Sequence, residues 1–183
     1  MAITYHDLYL KTRMALSSAG IEAAQLEARE ILCAAAEKTA EELYRDISLY
    51  TTDAIAEKTE ALQARRLAGE PIAYLLGEWS FCGLPFFVSP AALIPRVDTE
   101  MLAQLAMNRL KEHPGHTRIL DLCAGTGCVG LTAAALLKNT RAVLVDLSDG
   151  ALDLCKRNIR RHKLTGRAVS LKGDALQAPS HAL

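Results

Sequence analysis

The stretch from Ile119 to Gly130 constrains the fold of this chain more than any other. An apolar run that ends at Asp121 is followed by a loop of small residues with glycines at positions 125 and 127, and then by an apolar, alanine-rich run over residues 131–137. This order predicts a β-strand, a tight loop and an α-helix, because glycine lets the backbone turn sharply and lets a ligand approach closely. The N-terminus of the helix then presents free N–H groups and a partial positive charge to the loop.

Acidic residues also follow the next two predicted strands. The apolar run over residues 142–145 ends at Asp146, and a third strand over residues 169–172 is followed by Asp174. Open α/β sheets bind ligands at the carboxyl ends of their strands, where an acid can accept hydrogen bonds from both hydroxyls of a ribose. We expect Asp146 in that role and Asp174 beside the amine of an adenine ring. The sequence therefore predicts a cofactor that contains a nucleoside.

The loop by itself is compatible with two cofactors. Residues 125–130 match G-x-G-x-x-G, the dinucleotide-binding pattern, which would favour NAD. The match is short, and a plain strand-to-helix turn would also produce it. Asp121 lies four residues before the first glycine, and this spacing is typical of class I methyltransferases that bind S-adenosylmethionine. The loop alone leaves these alternatives open.

Composition excludes several classes of protein. The chain has 183 residues, enough for one medium domain or two small ones, and its formal net charge is zero, which argues against broad binding of nucleic-acid backbones. The five cysteines are scattered without a C-x-x-C pair, so we expect no metal site and reduced thiols. No apolar run reaches about 18 residues and no signal peptide is evident, so we expect a cytoplasmic protein without membrane contact.

The residues before the loop comprise a predicted helical part and then a segment rich in aromatic residues. Residues 1–69 are predicted to be helical, beginning with a helix from Tyr5 to Ser18 that Thr4 caps, and a second one from Glu22 to Ala36. The segment over residues 69–77 should break the helices, and aromatic residues around Gly83 predict a β-hairpin over residues 79–88.

A further helix is predicted from the end of the segment over residues 93–100 onward. It should run from Thr99 to His113 with Asp98 or Thr99 as its cap, which leaves the charge of Arg96 unexplained. The helix over residues 150–162 carries a basic face, which we interpret as solvated.

Taken together, these features resemble the release factor glutamine N5-methyltransferase family. The resemblance covers most of residues 69–176, and its most specific part is the string Ile-Pro-Arg-Val-Asp-Thr-Glu over residues 94–100. It is carried by residues 69–77, 83–88, 93–100, 119–128 and 145–148. It implies an α/β fold: a helical bundle over residues 1–70, a β-hairpin linker over 71–97, and the first half of a class I, Rossmann-like methyltransferase domain over 98–183.

The resemblance also implies the site and the reaction. Members of the family use S-adenosylmethionine, with S-adenosylhomocysteine as product, to methylate the glutamine side chain in the Gly-Gly-Gln motif of peptide chain release factors. A release factor is then the expected partner, and we expect no direct binding of nucleic acid. The cofactor-binding residues implied are Asp121, Cys123, Ala124, Gly125, Thr126, Gly127, Asp146, Asp174 and Ala175. Arg96 and Glu100 are expected near the pocket.

The chain departs from the family pattern at three points. Val97 stands where the family usually has proline, and Cys123-Ala124 replaces the commoner Gly-Thr. The family's Asn-Pro-Pro-Tyr motif, which holds the substrate amide, should follow soon after Asp174, and it does not occur before Leu183. We therefore expect the catalytic motif beyond Leu183 in a longer natural protein, and assign no catalytic residue here.

Three other functions stay open. An adenine-N6 methyltransferase acting on nucleic acid shares the Asn-Pro-Pro-Tyr chemistry, although the zero net charge speaks against it. An NAD-dependent oxidoreductase is favoured by the G-x-G-x-x-G match alone. A non-catalytic module that binds a cofactor or a partner would need no further motif.

The first prediction concerns activity. The 183-residue chain should not turn over, because it lacks the residues expected to hold the glutamine amide at attacking distance from a methyl group. Transfer of tritium from labelled S-adenosylmethionine to a release factor measures this, and methylation above the rate without protein would contradict the expectation.

Overall fold

A computed structural model describes residues 3–113 and 115–177 of the chain, which divides into two compact units, Met1–Leu76 and Gly77–Leu183. The first unit is helical. Its elements are α1 (Tyr5–Ser18), α2 (Ala24–Ala36), α3 (Ala40–Arg45), α4 (Asp53–Leu67) and α5 (Ile72–Leu76).

Local sequence sets the helix ends of the first unit. The side chain of Thr4 accepts a hydrogen bond from the N–H of Asp7 and caps α1, as predicted. Thr39 and Glu42 form a capping box at α3. Two predictions need correction: α2 begins two residues later than expected, at Ala24, and the segment after α4 contains the helical turn α5 instead of only breaking the helix.

The second unit begins with the predicted β-hairpin, β1 (Glu78–Phe81) and β2 (Leu84–Phe87), which pair antiparallel. The two connecting residues, Cys82 and Gly83, both have positive φ angles, of 50° and 74°. Two-residue turns with positive φ at both positions match the twist of the flanking strands. Phe81 and Phe86 pack edge to face at 6.1 Å between ring centroids and are buried.

Helix α6 (Val97–Lys111) begins earlier than predicted. Arg96 is its N-cap in extended conformation, and no side chain caps it. The N–H of Thr99 donates to the carbonyl of Arg96 at 3.0 Å, so the first turn has already formed where the cap was expected. The prediction that Asp98 or Thr99 caps this helix is therefore wrong, and Asp98 lies within the first turn.

The centre of the second unit is a parallel sheet in the order β3-β4-β5. Its strands are β3 (Thr117–Leu122), β4 (Thr140–Asp146) and β5 (Ala168–Lys172), connected by α7 (Cys128–Leu136) and α8 (Asp149–Arg161). Side chains alternate between two faces along each strand. Ala142 and Leu144 of β4 are buried in one core cluster with Leu131 of α7 and Cys155 of α8.

Helix α8 packs against the hairpin as well as against the sheet. The guanidinium groups of Arg157 and Arg161 lie 4.6 and 4.3 Å from the ring centroid of Phe87, and Arg161 forms an ion pair with Glu78 at 2.6 Å. His162 follows the helix and lies over Phe86 at 4.6 Å between ring centroids. The interpretation of the basic face as solvated is therefore wrong for Arg161, which is half-buried, whereas Arg157 is exposed although its guanidinium also lies over the ring.

The fold class is confirmed: helices in the first part of the chain precede a hairpin and a parallel α/β sheet of the class I methyltransferase kind. The domain bounds at residues 70 and 97 stay a prediction. Among the described residues, no helix has the length and apolar character needed to cross a membrane.

The second prediction concerns the packing of His162 on the hairpin. Burial and the neighbouring Arg161 lower the pKa of His162, while a hydrogen bond with the backbone of Pro85 acts in the opposite direction. Because the folded state disfavours the imidazolium, the unfolded chain takes up the proton first as the pH falls. This contribution to stability is complete above the ordinary histidine pKa near 6.5 and is lost progressively below it.

Urea unfolding at several pH values between about 8 and 5 measures this effect. His162→Gln should show a smaller loss of stability on acidification than the original chain. His116→Gln, at an exposed position of the same unit, controls for histidine replacement in general. An equal pH dependence for the original chain and His162→Gln would contradict the prediction.

Candidate functional site

A cavity of about 480 Å³ lies at the carboxyl ends of β3 and β4. The loop between β3 and α7 forms its floor, and the segment before α6 forms a wall. The lining residues are Ala91, Ala92, Leu93, Ile94, Pro95, Arg96, Thr99, Leu102, Asp121, Leu122, Cys123, Ala124, Gly125, Thr126, Cys128, Val129, Asp146 and Ala151. The sheet edge that the sequence indicated as a ligand site is therefore a cavity with both polar and apolar walls.

The structure brings most of the predicted site residues to this cavity, but not all of them. Those that line it are Arg96, Asp121, Cys123, Ala124, Gly125, Thr126 and Asp146. Gly127, Glu100, Asp174 and Ala175 are absent from the lining. Their cofactor roles stay predictions, and the contacts of three of them show what else they do.

Two glycines at the start of α7, one at its N-cap and one in its first turn, are held where no other residue fits well. Gly127 has a φ angle of 77°, and a Cβ atom there would lie 2.9 Å from Leu144 Cδ1. Gly130 has an ordinary φ, but its Cβ would lie 2.6 Å from Leu144 Cδ2. The close approach of α7 to β4 therefore requires glycine at position 130, which is a packing role, since Gly130 does not line the cavity.

Asp121 connects the end of β3 to the first turn of α7. Its Oδ2 accepts a hydrogen bond from the N–H of Gly130 at 2.8 Å. Burial raises the pKa of Asp121 to about 6, and the negative charge of Asp146 adds to this, while the hydrogen bond from Gly130 acts in the opposite direction. A carboxylate in this position is costly and would be stabilised by a cation in the cavity.

Asp146 connects the end of β4 to the loop after β3. Its Oδ2 accepts from the N–H of Gly125 at 2.8 Å, and its Oδ1 accepts from the N–H of Ser148 at 3.0 Å. Each carboxylate oxygen has a second lone pair, so these bonds leave acceptor capacity on a residue that lines the cavity. Asp146 thus supports the loop and can still accept further hydrogen bonds on the cavity side.

Glu100 and Asp174 are engaged elsewhere. Glu100 accepts a hydrogen bond from the N–H of Cys82 at 2.7 Å and so ties α6 to the turn of the hairpin. Asp174 accepts from the N–H of Leu176 at 2.9 Å and from the side chain of Gln177 at 3.3 Å. The acid after β5 therefore stabilises its own turn in this structure.

Sequence reasoning missed two residues of α8 that hold the loop from behind. Asn158 donates to the carbonyl of Thr126 at 2.9 Å, and the thiol of Cys155 donates to the carbonyl of Gly125 at 3.2 Å. Both side chains are fully buried. The available signal was helical periodicity: position 158 falls on the same face as Leu154 and Cys155, where a polar residue needs a buried partner.

The arrangement suits a ligand that combines hydrogen-bond donors, positive charge and apolar surface. Asp121 and Asp146 are two carboxylates on the lining, and Arg96 is a single cation. Apolar side chains such as Leu102 and Val129 offer a surface for a flat ring. Among residues 3–113 and 115–177, no group of three or more His, Cys, Asp or Glu side chains is placed to hold a metal ion.

Comparison with protein families gives two matches. Residues 7–77 match the PrmC N-terminal domain, and residues 96–182 match the methyltransferase small domain. The release factor glutamine methyltransferase of Nitratidesulfovibrio vulgaris is 35% identical over 176 residues, which is 93% of this chain and 57% of the relative. That of Geobacter sulfurreducens is 36% identical over 168 residues, with 92% and 57% covered.

Over most of its length the chain is similar to release factor glutamine methyltransferases. The resemblance inferred from the motifs is thereby confirmed. The release factor glutamine methyltransferase of Escherichia coli is 47% identical over 107 residues, which is 58% of this chain and 38% of the relative. The chain spans little more than half the length of the first two relatives, 57% in each case.

Solved structures of methyltransferases give more distant likenesses. Human methyltransferase 10 domain containing protein is 22% identical with a TM-score of 0.44, covering 63% of this chain and 53% of that one. The N-terminal domain of human METTL16 in complex with SAH is 18% identical with a TM-score of 0.40, covering 54% and 43%. Likenesses at this level carry no weight for function.

The third prediction concerns the cost of the Asp121 charge. Because the folded state raises the pKa of this carboxyl from 3.8 to about 6, stability is lost as the pH rises from about 4 through 6. Asp121→Asn keeps an oxygen for the N–H of Gly130 and removes the charge. The variant of the empty protein should therefore be more stable than the original at pH 8, by up to about 2–3 kcal/mol, and should show little gain at pH 4.

Urea unfolding at the two pH values measures the difference. Asp149→Asn is the matched control, because Asp149 is an exposed carboxylate that pairs with Lys172 across the surface. A loss of stability for Asp121→Asn at pH 8 as large as that of a core substitution would refute the interpretation that the charge is costly.

Proposed function

We propose that this chain is the cofactor-binding part of an enzyme that uses S-adenosylmethionine to methylate the glutamine side chain in the Gly-Gly-Gln motif of peptide chain release factors. The names of the relatives support the reaction and the substrate. The methyltransferase small domain over residues 96–182 supports the general chemistry. The observation that carries the proposal is the cavity at the strand ends with Asp121 and Asp146 on its lining.

The lining residues fit this cofactor. S-adenosylmethionine carries a sulfonium and an ammonium cation, and the carboxylates of Asp121 and Asp146 give the cavity an excess of negative charge. Burial of Asp121 makes its charge unfavourable without a cation nearby. A dinucleotide would instead bring the negative charges of a pyrophosphate into the same space. The electrostatics of the site therefore favour S-adenosylmethionine over NAD.

Each part of the lining has a proposed role. Asp146 would accept hydrogen bonds from the ribose hydroxyls, and the loop over residues 123–127 would enclose the amino-acid end of the cofactor. Asp121 would balance its positive charge, and Arg96 would lie by the carboxylate end or the substrate. When bound, the cofactor supplies an electrophilic methyl group. Asp174 and Ala175 would contact the adenine only after their turn rearranges.

The substrate side of the reaction rests on the family. The amide nitrogen of glutamine is a weak nucleophile and must be held in line with the methyl group, and we propose that residues outside the described part of this chain do this. A helical domain over residues 1–70 and a hairpin linker over 71–97 would complete the architecture. A cytoplasmic location is proposed from the substrate class alone.

The fourth prediction tests the cofactor site. Asp146→Ala should weaken the binding of S-adenosylhomocysteine by about 10- to 100-fold, because it removes acceptors for the ribose and for the N–H of Gly125. Isothermal titration calorimetry gives the dissociation constants. Asp149→Ala, at an exposed acid of the neighbouring turn, is the control and should bind as the original chain does.

Two outcomes of the titration would contradict the proposal. An unchanged affinity of Asp146→Ala would place the nucleoside elsewhere. Tight binding of NAD together with undetectable binding of S-adenosylhomocysteine would show that the loop binds a dinucleotide instead.

The fifth prediction tests the substrate. The protein encoded by the complete gene should add a single methyl group to the glutamine of a Gly-Gly-Gln release factor, which mass spectrometry of the tryptic peptide detects. A release factor with Gly-Gly-Ala in place of that motif is the control. Methylation of adenine in DNA or RNA, with an unmodified release factor, would favour the nucleic-acid methyltransferase instead.

A further inference from the structure

We propose that Asn158 is a positioning residue that fastens the loop of residues 123–127 to the β-hairpin, so that the cofactor site and the hairpin hold each other in place. The inference rests on the proposed function for its meaning in catalysis. Its structural basis is independent of any ligand. A cofactor loop braced in this way has its shape set by a residue that touches neither cofactor nor substrate.

Both amide protons and the amide oxygen of Asn158 form hydrogen bonds. Its Oδ1 accepts from the N–H of Phe87 at 2.7 Å. Its Nδ2 donates to the carbonyl of Phe87 at 3.1 Å and to the carbonyl of Thr126 at 2.9 Å. The two Nδ2 protons and the oxygen thus contact two segments that are far apart in the sequence. Asn158 itself is fully buried.

The loop depends on this contact because two of its carbonyls, those of Gly125 and Thr126, have side chains of α8 as donors. Thr126 is 2% exposed, so a carbonyl without Asn158 would lose its donor in a buried position, which is costly. The preceding carbonyl, of Gly125, has the thiol of Cys155 as its donor, and a thiol is a weak donor. Asn158 is therefore the stronger of the two supports from α8.

Several contacts also fix the hairpin against α8. Pairing of both backbone groups of Phe87 with one side chain fixes β2 against α8. The ring of Phe87 is covered by Arg157 and Arg161, and Arg161 also pairs with Glu78 on β1. A shift of the hairpin would therefore move or break the hydrogen bonds of Asn158, and with them the support of the Thr126 carbonyl.

Amide hydrogen exchange tests the coupling without a ligand. Asn158→Asp keeps an acceptor for the N–H of Phe87 but places a negative charge against two carbonyls. The amides of Gly125 and Gly127, which bond to Asp146 and to the Ala124 carbonyl, should then exchange about tenfold faster or more. If this variant does not fold, Asn158→Ser is uncharged, leaves room for a water and carries the same test.

The control separates a local effect from general destabilisation. Ile159 is the next residue of α8 and is buried in the core, so Ile159→Val or Ile159→Ala, whichever matches the stability of the Asn158 variant, reports the effect of a weakened helix. Faster exchange of both Phe87 and the loop amides, relative to this control, supports the proposal. Loop amides that exchange at the control rate overturn it, even if Phe87 exchanges faster.

A second measurement connects the coupling to the cofactor. At matched stability, the Asn158 variant should bind S-adenosylhomocysteine about tenfold more weakly than the Ile159 variant, and equal affinities would overturn the positioning role. If the original chain does not bind S-adenosylhomocysteine, the proposed cofactor is wrong, while the exchange measurement still decides whether Asn158 couples loop and hairpin. The two failures are therefore distinguishable.

Discussion

A loop that passes through the interior of a protein must have its main-chain N–H and C=O groups hydrogen bonded, and the site of this chain depends on that requirement. In the loop after β3, one N–H, that of Gly127, is paired within the loop with the carbonyl of Ala124. Side chains from other elements pair further groups: Asp146 from the end of β4 accepts from an N–H, and Asn158 and Cys155 from α8 donate to two carbonyls. The shape of the cavity follows from these bonds, because they decide which groups of the loop face the cavity.

The charge of Asp121 sets the stability of the fold against the proposed function of the site. Asp121 is held under the loop by the N–H of Gly130, but burial and the nearby Asp146 make its negative charge unfavourable. A ligand that supplies a positive charge would offset this cost. The carboxylate thus lies at the position where we propose that a cationic cofactor binds.

The strand, loop and helix around residues 119–130 could be predicted because glycine spacing and apolar runs are local signals, and the hairpin could be predicted from its aromatic residues and Gly83. Asn158 and Phe87 could not be connected in this way, because they are 71 positions apart and their contact depends on how α8 packs. Glu100 had the position of a first-turn acid, and its partner at Cys82 exists only once the hairpin has formed. Arg161 likewise had the position of a solvated residue on the basic face of α8, and its partners Phe87 and Glu78 lie on the hairpin.

The central claim is that the cavity at the carboxyl ends of β3 and β4 binds S-adenosylmethionine. Titration of the isotopically labelled chain with S-adenosylhomocysteine, followed by amide chemical shifts, tests it most directly. The account predicts saturable shifts concentrated in residues 91–96, in 121–127 and at Asp146. Saturable shifts confined to other parts of the chain, or no shifts at millimolar ligand in a folded sample, would contradict it.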